Sequence, residues 1–115
     1  MLFAFDKDTG EVVVLASPLE APGRCKPIDV KDGFWLFFAD DGSPLEPRFD
    51  PGEGPDDLPG PYSLERAMSG RWLQERLDKV ATVTGGGVGD VEGLSELLRI
   101  NRGKRIALRP THGSG

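Results

Sequence analysis

Few side chains in this 115-residue sequence have the type and spacing that catalysis or metal binding requires. The single histidine, His112, lies in a tail of Gly and Ser, which excludes a packed histidine dyad and a site with several histidine ligands. The single cysteine, Cys25, has basic neighbours that favour a thiolate, but a half-buried structural residue is the simpler interpretation. The carboxylate pairs Asp40–Asp41 and Asp56–Asp57 are adjacent residues, whose side chains point apart in a strand or turn. We therefore predict that the chain is not an enzyme.

Two segments resemble ligand-binding loops without meeting their requirements. Residues 6–11 begin like a calcium-binding loop, but Gly10 and Glu11 occupy the fifth and sixth positions, where the pattern needs Asp or Asn and then Gly. Residues 85–90 precede a helical pattern, yet the dinucleotide spacing would put Asp90 at its last glycine, and no Walker lysine follows. We interpret the first segment as a hairpin turn and the second as a linker between helices, and we predict no cofactor and no metal site.

Charge is distributed unevenly along the chain, whose net charge is −5. Residues 1–65 contain 14 acidic and 5 basic residues, a net −9, and residues 66–115 contain 5 acidic and 9 basic residues, a net +4. The acidic loop, residues 50–61, contributes the carboxylates of Asp50, Glu53, Asp56 and Asp57. The basic residues are densest between Arg99 and Arg109. The overall negative charge argues against nucleic acid as the main partner.

The sequence gives no sign of membrane insertion or export. Its longest apolar runs, Val12–Ala16 and Phe34–Ala39, are far shorter than the roughly 20 residues that cross a bilayer. The first residues lack the basic start of a signal peptide, and one cysteine suits a reducing compartment. We therefore expect a cytoplasmic protein that does not contact a membrane.

The hydrophobic patterns predict an α+β fold, in which an N-terminal antiparallel sheet of about four to six short strands precedes two C-terminal amphipathic helices packed on one face. The candidate strands are Leu2–Phe5, Glu11–Leu15, Ile28–Val30, Phe34–Ala39, Leu45–Phe49, Tyr62–Leu64 and Arg105–Leu108. Pro44 and Pro47 should confine their strand to a sheet edge. The helices should start after Ser69 and at Asp90, the second ending at Gly103. Residues 1–110 would form one domain, with the acidic loop within it and a flexible tail at 111–115.

The strand over Phe34–Phe38 is apolar at every position, so both of its faces should be covered. If the two helices cover only one face, either Trp35 and Phe37 or Phe34, Leu36 and Phe38 remain as an exposed patch, which would mark an interface. Alternatively, residues 17–27 and the acidic loop cover the second face.

The N-terminal half carries a set of short turn and strand motifs. They are Phe3-Ala4-Phe5-Asp6, Thr9-Gly10, Ile28-Asp29-Val30-Lys31-Asp32-Gly33, Phe37-Phe38-Ala39-Asp40-Asp41-Gly42 and Pro44-Leu45-Glu46-Pro47. In these motifs the chain resembles small bacterial proteins of polymorphic-toxin immunity neighbourhoods. The resemblance implies a non-catalytic protein that neutralises a toxin, and it assigns no individual site residue.

These observations together favour a binding protein. Acidic loops can enter the basic cleft of a toxin that acts on nucleic acid, where their carboxylates take the place of phosphates. The expected partner-binding residues are Asp50, Glu53, Asp56, Asp57 and Trp35. The alternative is a structural or regulatory module that forms a homodimer through the Phe34–Phe38 face. A third, more distant possibility is a nucleic-acid accessory protein that uses the basic segment Arg99–Arg109.

Overall fold

The computed structural model describes residues 1–49 and 62–108, with side chains as far as residue 104. Its strands are β1 (Leu2–Asp6), β2 (Glu11–Leu15), β3 (Trp35–Ala39), β4 (Pro44–Phe49), β5 (Tyr62–Arg66) and β6 (Thr82–Thr84). Its α-helices are α1 (Ala21–Arg24), α2 (Pro27–Lys31) and α3 (Val91–Leu108), and 3-10 helices span Pro18–Glu20 and Leu73–Lys79. The predicted α+β class is therefore confirmed. The acidic loop and the tail at 111–115 lie outside the described residues.

The six described strands form one sheet in the order β5-β4-β3-β1-β2-β6. The first five pair antiparallel, as predicted, and β6 lies parallel to β2, so the sheet is mixed. The parallel pair arises because the chain leaves β5 at one edge, crosses a face of the sheet through the 73–79 helix, and enters β6 at the opposite edge. Such a crossover brings the last strand in parallel where a hairpin would have made it antiparallel.

Each face of the sheet carries its own hydrophobic core. The first core combines side chains from the sheet with three from the short helices before β3; its members are Leu2, Ala4, Val13, Leu15, Ala21, Cys25, Val30, Phe37 and Tyr62. The second core combines the opposite strand face with the 73–79 helix and α3; its members are Phe3, Phe5, Val12, Phe38, Leu73, Val83, Leu94 and Leu98. Both faces of β3 are thus covered, which explains why β3 is apolar throughout.

The predicted strand at Ile28–Val30 is wrong, because these residues belong to α2. Pro27 stands at the first helical position, where its missing N–H costs nothing. Val30 is buried in the first core, and Gly33 adopts the left-handed conformation (φ 83°) just after the helix, which glycine does without strain. Three apolar-polar-apolar residues fit a helical turn and a strand equally well, so the pattern alone did not decide between them.

The predicted pair of C-terminal amphipathic helices is not confirmed, since only the second of the two predicted segments forms an α-helix, α3. Residues 73–79 form a 3-10 helix of two turns, although Leu73 is buried as expected. Asp90 caps α3 by accepting a hydrogen bond from the Gly93 N–H (2.7 Å). The helix continues past Gly103 to Leu108, so the predicted stop and the predicted last strand are wrong. A single glycine costs a helix only about 1 kcal/mol, which neighbouring turns can offset.

The segment after β6 is a tight turn packed on the sheet. Gly85 and Gly86 adopt positive φ values of 90° and 63°. A Cβ atom on Gly86 would lie 2.6 Å from Cγ1 of Val14, and one on Gly85 would lie 2.8 Å from the Val14 carbonyl oxygen. The predicted linker between helices is therefore a strand-to-helix connection whose glycines let the backbone approach β2 closely.

No helix in the described part of the chain is long and apolar enough to span a membrane.

Candidate functional site

The four carboxylates predicted to bind a partner, Asp50, Glu53, Asp56 and Asp57, lie outside the described residues. The fifth predicted residue, Trp35, is the first residue of β3 and is half-buried against the first core. Its register partner on β1 is Asp6, so an aromatic and an acidic side chain lie side by side at one end of the sheet.

Trp35 borders a shallow concavity that we call the acidic hollow. The hollow has a volume of about 280 Å³ and is lined by three carboxylates and two aromatic residues: Asp6, Asp8, Asp29, Phe34 and Trp35. It lies where the β1–β2 turn, α2 and the start of β3 meet. An aromatic surface beside carboxylates suits a cationic side chain. The face of the aromatic ring attracts the cation, and the carboxylates attract it through their negative charge.

The β1–β2 turn fixes the two carboxylates on β1 and just after it. The Asp6 side chain accepts hydrogen bonds from the backbone N–H groups of Asp8 (2.8 Å) and Thr9 (3.3 Å), and the Asp6 carbonyl accepts one from Gly10 (2.8 Å). An Asp that bonds backbone groups two and three residues ahead holds a turn closed. The Asp6 carboxylate is therefore already used in part by hydrogen bonds within the turn, whereas the exposed Asp8 side chain is available to a partner.

Phe34 is held by its backbone, and nearly half of the residue is exposed to solvent. Its N–H donates to the Asp29 carbonyl (3.0 Å), and its carbonyl accepts from the Lys7 N–H (2.9 Å). These bonds tie Phe34 to α2 on one side and to the β1–β2 turn on the other. The residue is nevertheless 45% exposed, which is high for a large apolar residue. An exposed ring on a fixed backbone loses little conformational entropy on binding, and such rings are typical anchors of interfaces.

Among the described residues, the carboxylates of the hollow form no direct ion pair. The ion pairs of the described residues are Arg48–Glu65 and Arg99–Glu96, and neither involves the hollow. The three carboxylates also do not converge on one point, since the described residues contain no group of three His, Cys, Asp or Glu side chains that could hold a metal ion. The arrangement presents spread negative charge, which is suited to a basic protein surface.

The structure decides between the two predictions for the faces of β3. The helical segment between residues 18 and 31 covers the face that carries Phe37, through Ala21, Cys25 and Val30. This agrees with the part of the alternative that assigned the second face to residues 17–27; the acidic loop, which that alternative also placed there, lies outside the described residues. The exposed aromatic surface is therefore limited to Phe34 and part of Trp35, rather than extending over the whole strand.

Cys25 carries a thiol that is shielded from solvent in the first core. Its side chain is fully buried, and this burial raises the pKa of the thiol from 9.0 to about 12, although nearby Arg24 opposes the shift. Its carbonyl accepts a hydrogen bond from the Tyr62 hydroxyl (2.7 Å), which links β5 to the helical layer. The expectation of a structural cysteine is correct, and the burial is more complete than expected.

Sequence reasoning missed three carboxylates of the hollow. Asp6 and Asp8 were interpreted only as turn residues, and Asp29 was assigned to a strand that does not exist. Their proximity depends on the pairing of β1 with β3 and on the packing of α2 beside them. The one usable signal was the Asp-x-Asp spacing in a hairpin turn next to an aromatic strand.

Comparisons with protein-family models, with curated proteins and with solved structures return no match.

Proposed function

We propose that this protein is a non-catalytic, cytoplasmic binding protein that recognises a basic protein partner through the acidic hollow, in the manner of an immunity protein that neutralises a toxin. The observation that carries the proposal is the exposed ring of Phe34 on a fixed backbone, beside the carboxylates of Asp6, Asp8 and Asp29. The resemblance of the N-terminal half to proteins of toxin-immunity neighbourhoods points in the same direction.

The chemistry of the hollow favours an arginine or lysine side chain of the partner as its occupant. The apolar stem of such a side chain would pack on the Phe34 ring, and its charged end would lie among the carboxylates of Asp8 and Asp29. A charge-assisted hydrogen bond to a carboxylate is about twice as strong as a neutral one. The acidic loop would add long-range attraction, which raises the rate of association with a basic surface.

The alternative of a homodimer through the β3 face has less surface available than the sequence suggested. Most of that face packs against the helical segment before β3, so a second copy would contact only Phe34 and the exposed part of Trp35. A stable interface normally buries about 800 Å² on each partner. A homodimer would form from the purified chain alone, so the mass of the purified protein in solution distinguishes it from a complex with another protein.

The test is a quantitative pull-down from the native cytoplasm, with the wild-type protein and two variants as bait. Asp8→Asn with Asp29→Asn removes two charges from the hollow, and the control Asp78→Asn removes an exposed charge on the 73–79 helix. We expect a basic protein to be retained by the wild type and the control and to be depleted at least tenfold on the double variant. Equal retention by the double variant would contradict the proposal, and a dimeric mass for the pure protein with no retained partner would favour the homodimer.

A further inference from the structure

A second concavity opens where β3 and β4 separate. The two strands pair only at Phe37–Leu45 and Phe38–Pro44. Continuing this register would place Leu36 opposite Glu46 and then Trp35 opposite Pro47, which would be the next hydrogen-bonded pair. The Pro44 carbonyl accepts a hydrogen bond from the Ala67 N–H, so the backbone groups of residue 44 face β5. Because these groups alternate in direction along a strand, those of residue 47 face β3. Proline has no N–H to offer there, so the ladder ends. The prediction that the two prolines confine β4 to a sheet edge is wrong, because β4 lies between β3 and β5. Only the second half of β4 lacks a partner on the β3 side.

We call this concavity the arginine groove. It has a volume of about 280 Å³ and lies between the separating strands and the segment that leads into the 73–79 helix. Leu36 and Pro44 supply apolar surface, and the charged residues of its lining are Arg71, Arg76 and Glu46. Two guanidinium groups against one carboxylate give the lining a net charge of +1. The groove is close to the smaller end of ligand sites in proteins, which start at roughly 300 Å³.

Arg76 carries an unmet hydrogen-bonding requirement in this groove. Its side chain is half-buried, and its Nε atom is fully buried without any acceptor among the described residues. A buried N–H without a partner costs about 1–3 kcal/mol, and more when the group is charged. Such unpartnered groups are rare in folded proteins, and an acceptor on a ligand in the groove would compensate the guanidinium of this lining residue.

The 73–79 helix holds Arg76 in place. The Leu73 N–H donates to the Gly42 carbonyl (2.8 Å), and the Gln74 side-chain amide donates to the Asp41 carbonyl (2.7 Å). Leu73 is also fully buried in the second core. Because the start of the helix is anchored to the β3–β4 turn, the backbone of Arg76 cannot easily move to find another acceptor.

We propose that the arginine groove binds a small carboxylate with an apolar body. The carboxylate would accept two hydrogen bonds from the Arg76 guanidinium, in the planar fork that arginine forms with carboxylates. The apolar body would lie against Leu36 and Pro44. A monoanion matches the net +1 of the lining, whereas a phosphate dianion would be repelled more strongly by Glu46. This ligand site is distinct in charge from the acidic hollow and does not depend on the proposed function.

The experiment follows the Nε–H resonance of Arg76 by two-dimensional proton–nitrogen NMR, with benzoate as the probe. The resonance is assigned by its disappearance in Arg76→Lys. Benzamide, which has the same shape and no charge, is the first control, and inorganic phosphate is the second. We expect benzoate to shift this resonance in a saturable manner, benzamide to leave it unchanged, and phosphate to bind more weakly than benzoate. No saturable shift, an equal response to benzamide, or tighter binding of phosphate would overturn the proposal.

Variants test the role of the guanidinium fork. Arg76→Lys retains the positive charge but loses the planar fork of donors, and we expect it to bind benzoate at least tenfold more weakly, measured from the backbone resonance of Leu36. Arg24→Lys, an exposed position outside the groove, should bind as the wild type does. If Arg76→Lys does not fold, the exposed Arg71→Met should weaken binding roughly threefold by removing the second charge. Unchanged affinity in a folded Arg76→Lys, or in Arg71→Met where it replaces it, would overturn the proposal.

Discussion

The hydrogen bond from the Tyr62 hydroxyl to the Cys25 carbonyl connects two residues that neither strand pairing nor helix geometry brings together. Tyr62 is buried, with its ring against Phe37 and Phe49 at centroid distances of 5.9 and 5.5 Å. The bond therefore lies within the first core, where an unpaired carbonyl would not be solvated. Removing the hydroxyl oxygen of Tyr62 tests how much this hydrogen bond contributes to the free energy of unfolding.

We predict that Tyr62→Phe lowers the free energy of unfolding by about 1–3 kcal/mol, because it leaves the Cys25 carbonyl buried without its donor. The measurement is denaturation by urea, followed by circular dichroism. The control is Ser63→Ala, at an exposed position on the same strand, which should change stability by no more than about 0.5 kcal/mol. A Tyr62→Phe protein as stable as the control would show that the hydrogen bond is not made in solution.

The buried thiol predicts a loss of stability in alkaline solution. The pKa of Cys25 is about 12 in the folded protein and 9.0 as the reference value, so above pH 9 the unfolded chain releases a proton that the folded chain retains. The unfolded state is then favoured, by up to about 1.4 kcal/mol for each pH unit. Stability from this group is complete below pH 9 and falls as the pH rises towards 12.

We therefore expect the free energy of unfolding to fall more steeply between pH 9 and pH 11 in the wild type than in Cys25→Ala. The comparison uses the slope with pH, because the alanine variant also loses packing and starts from a lower stability. Parallel slopes for the two proteins would mean that the thiol is accessible to solvent and titrates normally.

At the scale of elements, the residues that sequence reasoning placed correctly are those with a long, unambiguous pattern. β1, β2 and β3 were predicted nearly to the residue, and Asp90 was correctly identified as the cap of α3. Two of the errors fall on short segments. Residues 28–30 fit both a strand and a helical pattern. Residues 105–108 look like a strand only if Gly103 ends the helix, and a single glycine does not force a helix to end.

The site was less accessible to prediction than the fold. Trp35 was identified from the excess of apolar residues in β3. Asp29 and Arg76 become significant only through their neighbours in space, because α2 places Asp29 beside Phe34 and the end of the β3–β4 ladder opens the groove beside Arg76. Periodicity along one segment carries no information about such contacts between segments.

The turn between β6 and α3 provides a prediction at the same scale. Gly86→Ala should lower the free energy of unfolding by about 1–3 kcal/mol, because alanine is strained at positive φ and its Cβ would meet Val14. Gly103→Ala is the matched control, since Gly103 is helical with nothing within 4 Å of its added Cβ. It should be stabilising by up to about 1 kcal/mol. If Gly86→Ala is as stable as the wild type, the segment is the loose linker that the sequence suggested.

Across the whole molecule, negative charge belongs mainly to the N-terminal half. Residues 1–49 contain nine acidic and five basic residues, a net −4, and residues 62–104 contain six acidic and seven basic residues, a net +1. The acidic hollow lies within the first of these segments, and the arginine groove takes both of its arginines from the second. One small sheet thus presents concavities of opposite charge, which would select different ligands.

The most direct test of the central claim is the rate of association with the captured partner as a function of ionic strength. The proteins compared are the wild type, the hollow variant Asp8→Asn with Asp29→Asn, Phe34→Ser and the control Asp78→Asn. We predict that the wild type and the control associate fast at low salt and that their association slows steeply as the salt concentration rises. The hollow variant should associate at least tenfold more slowly at low salt, and Phe34→Ser should mainly dissociate faster. Association that is independent of salt and unchanged in the hollow variant would contradict the account.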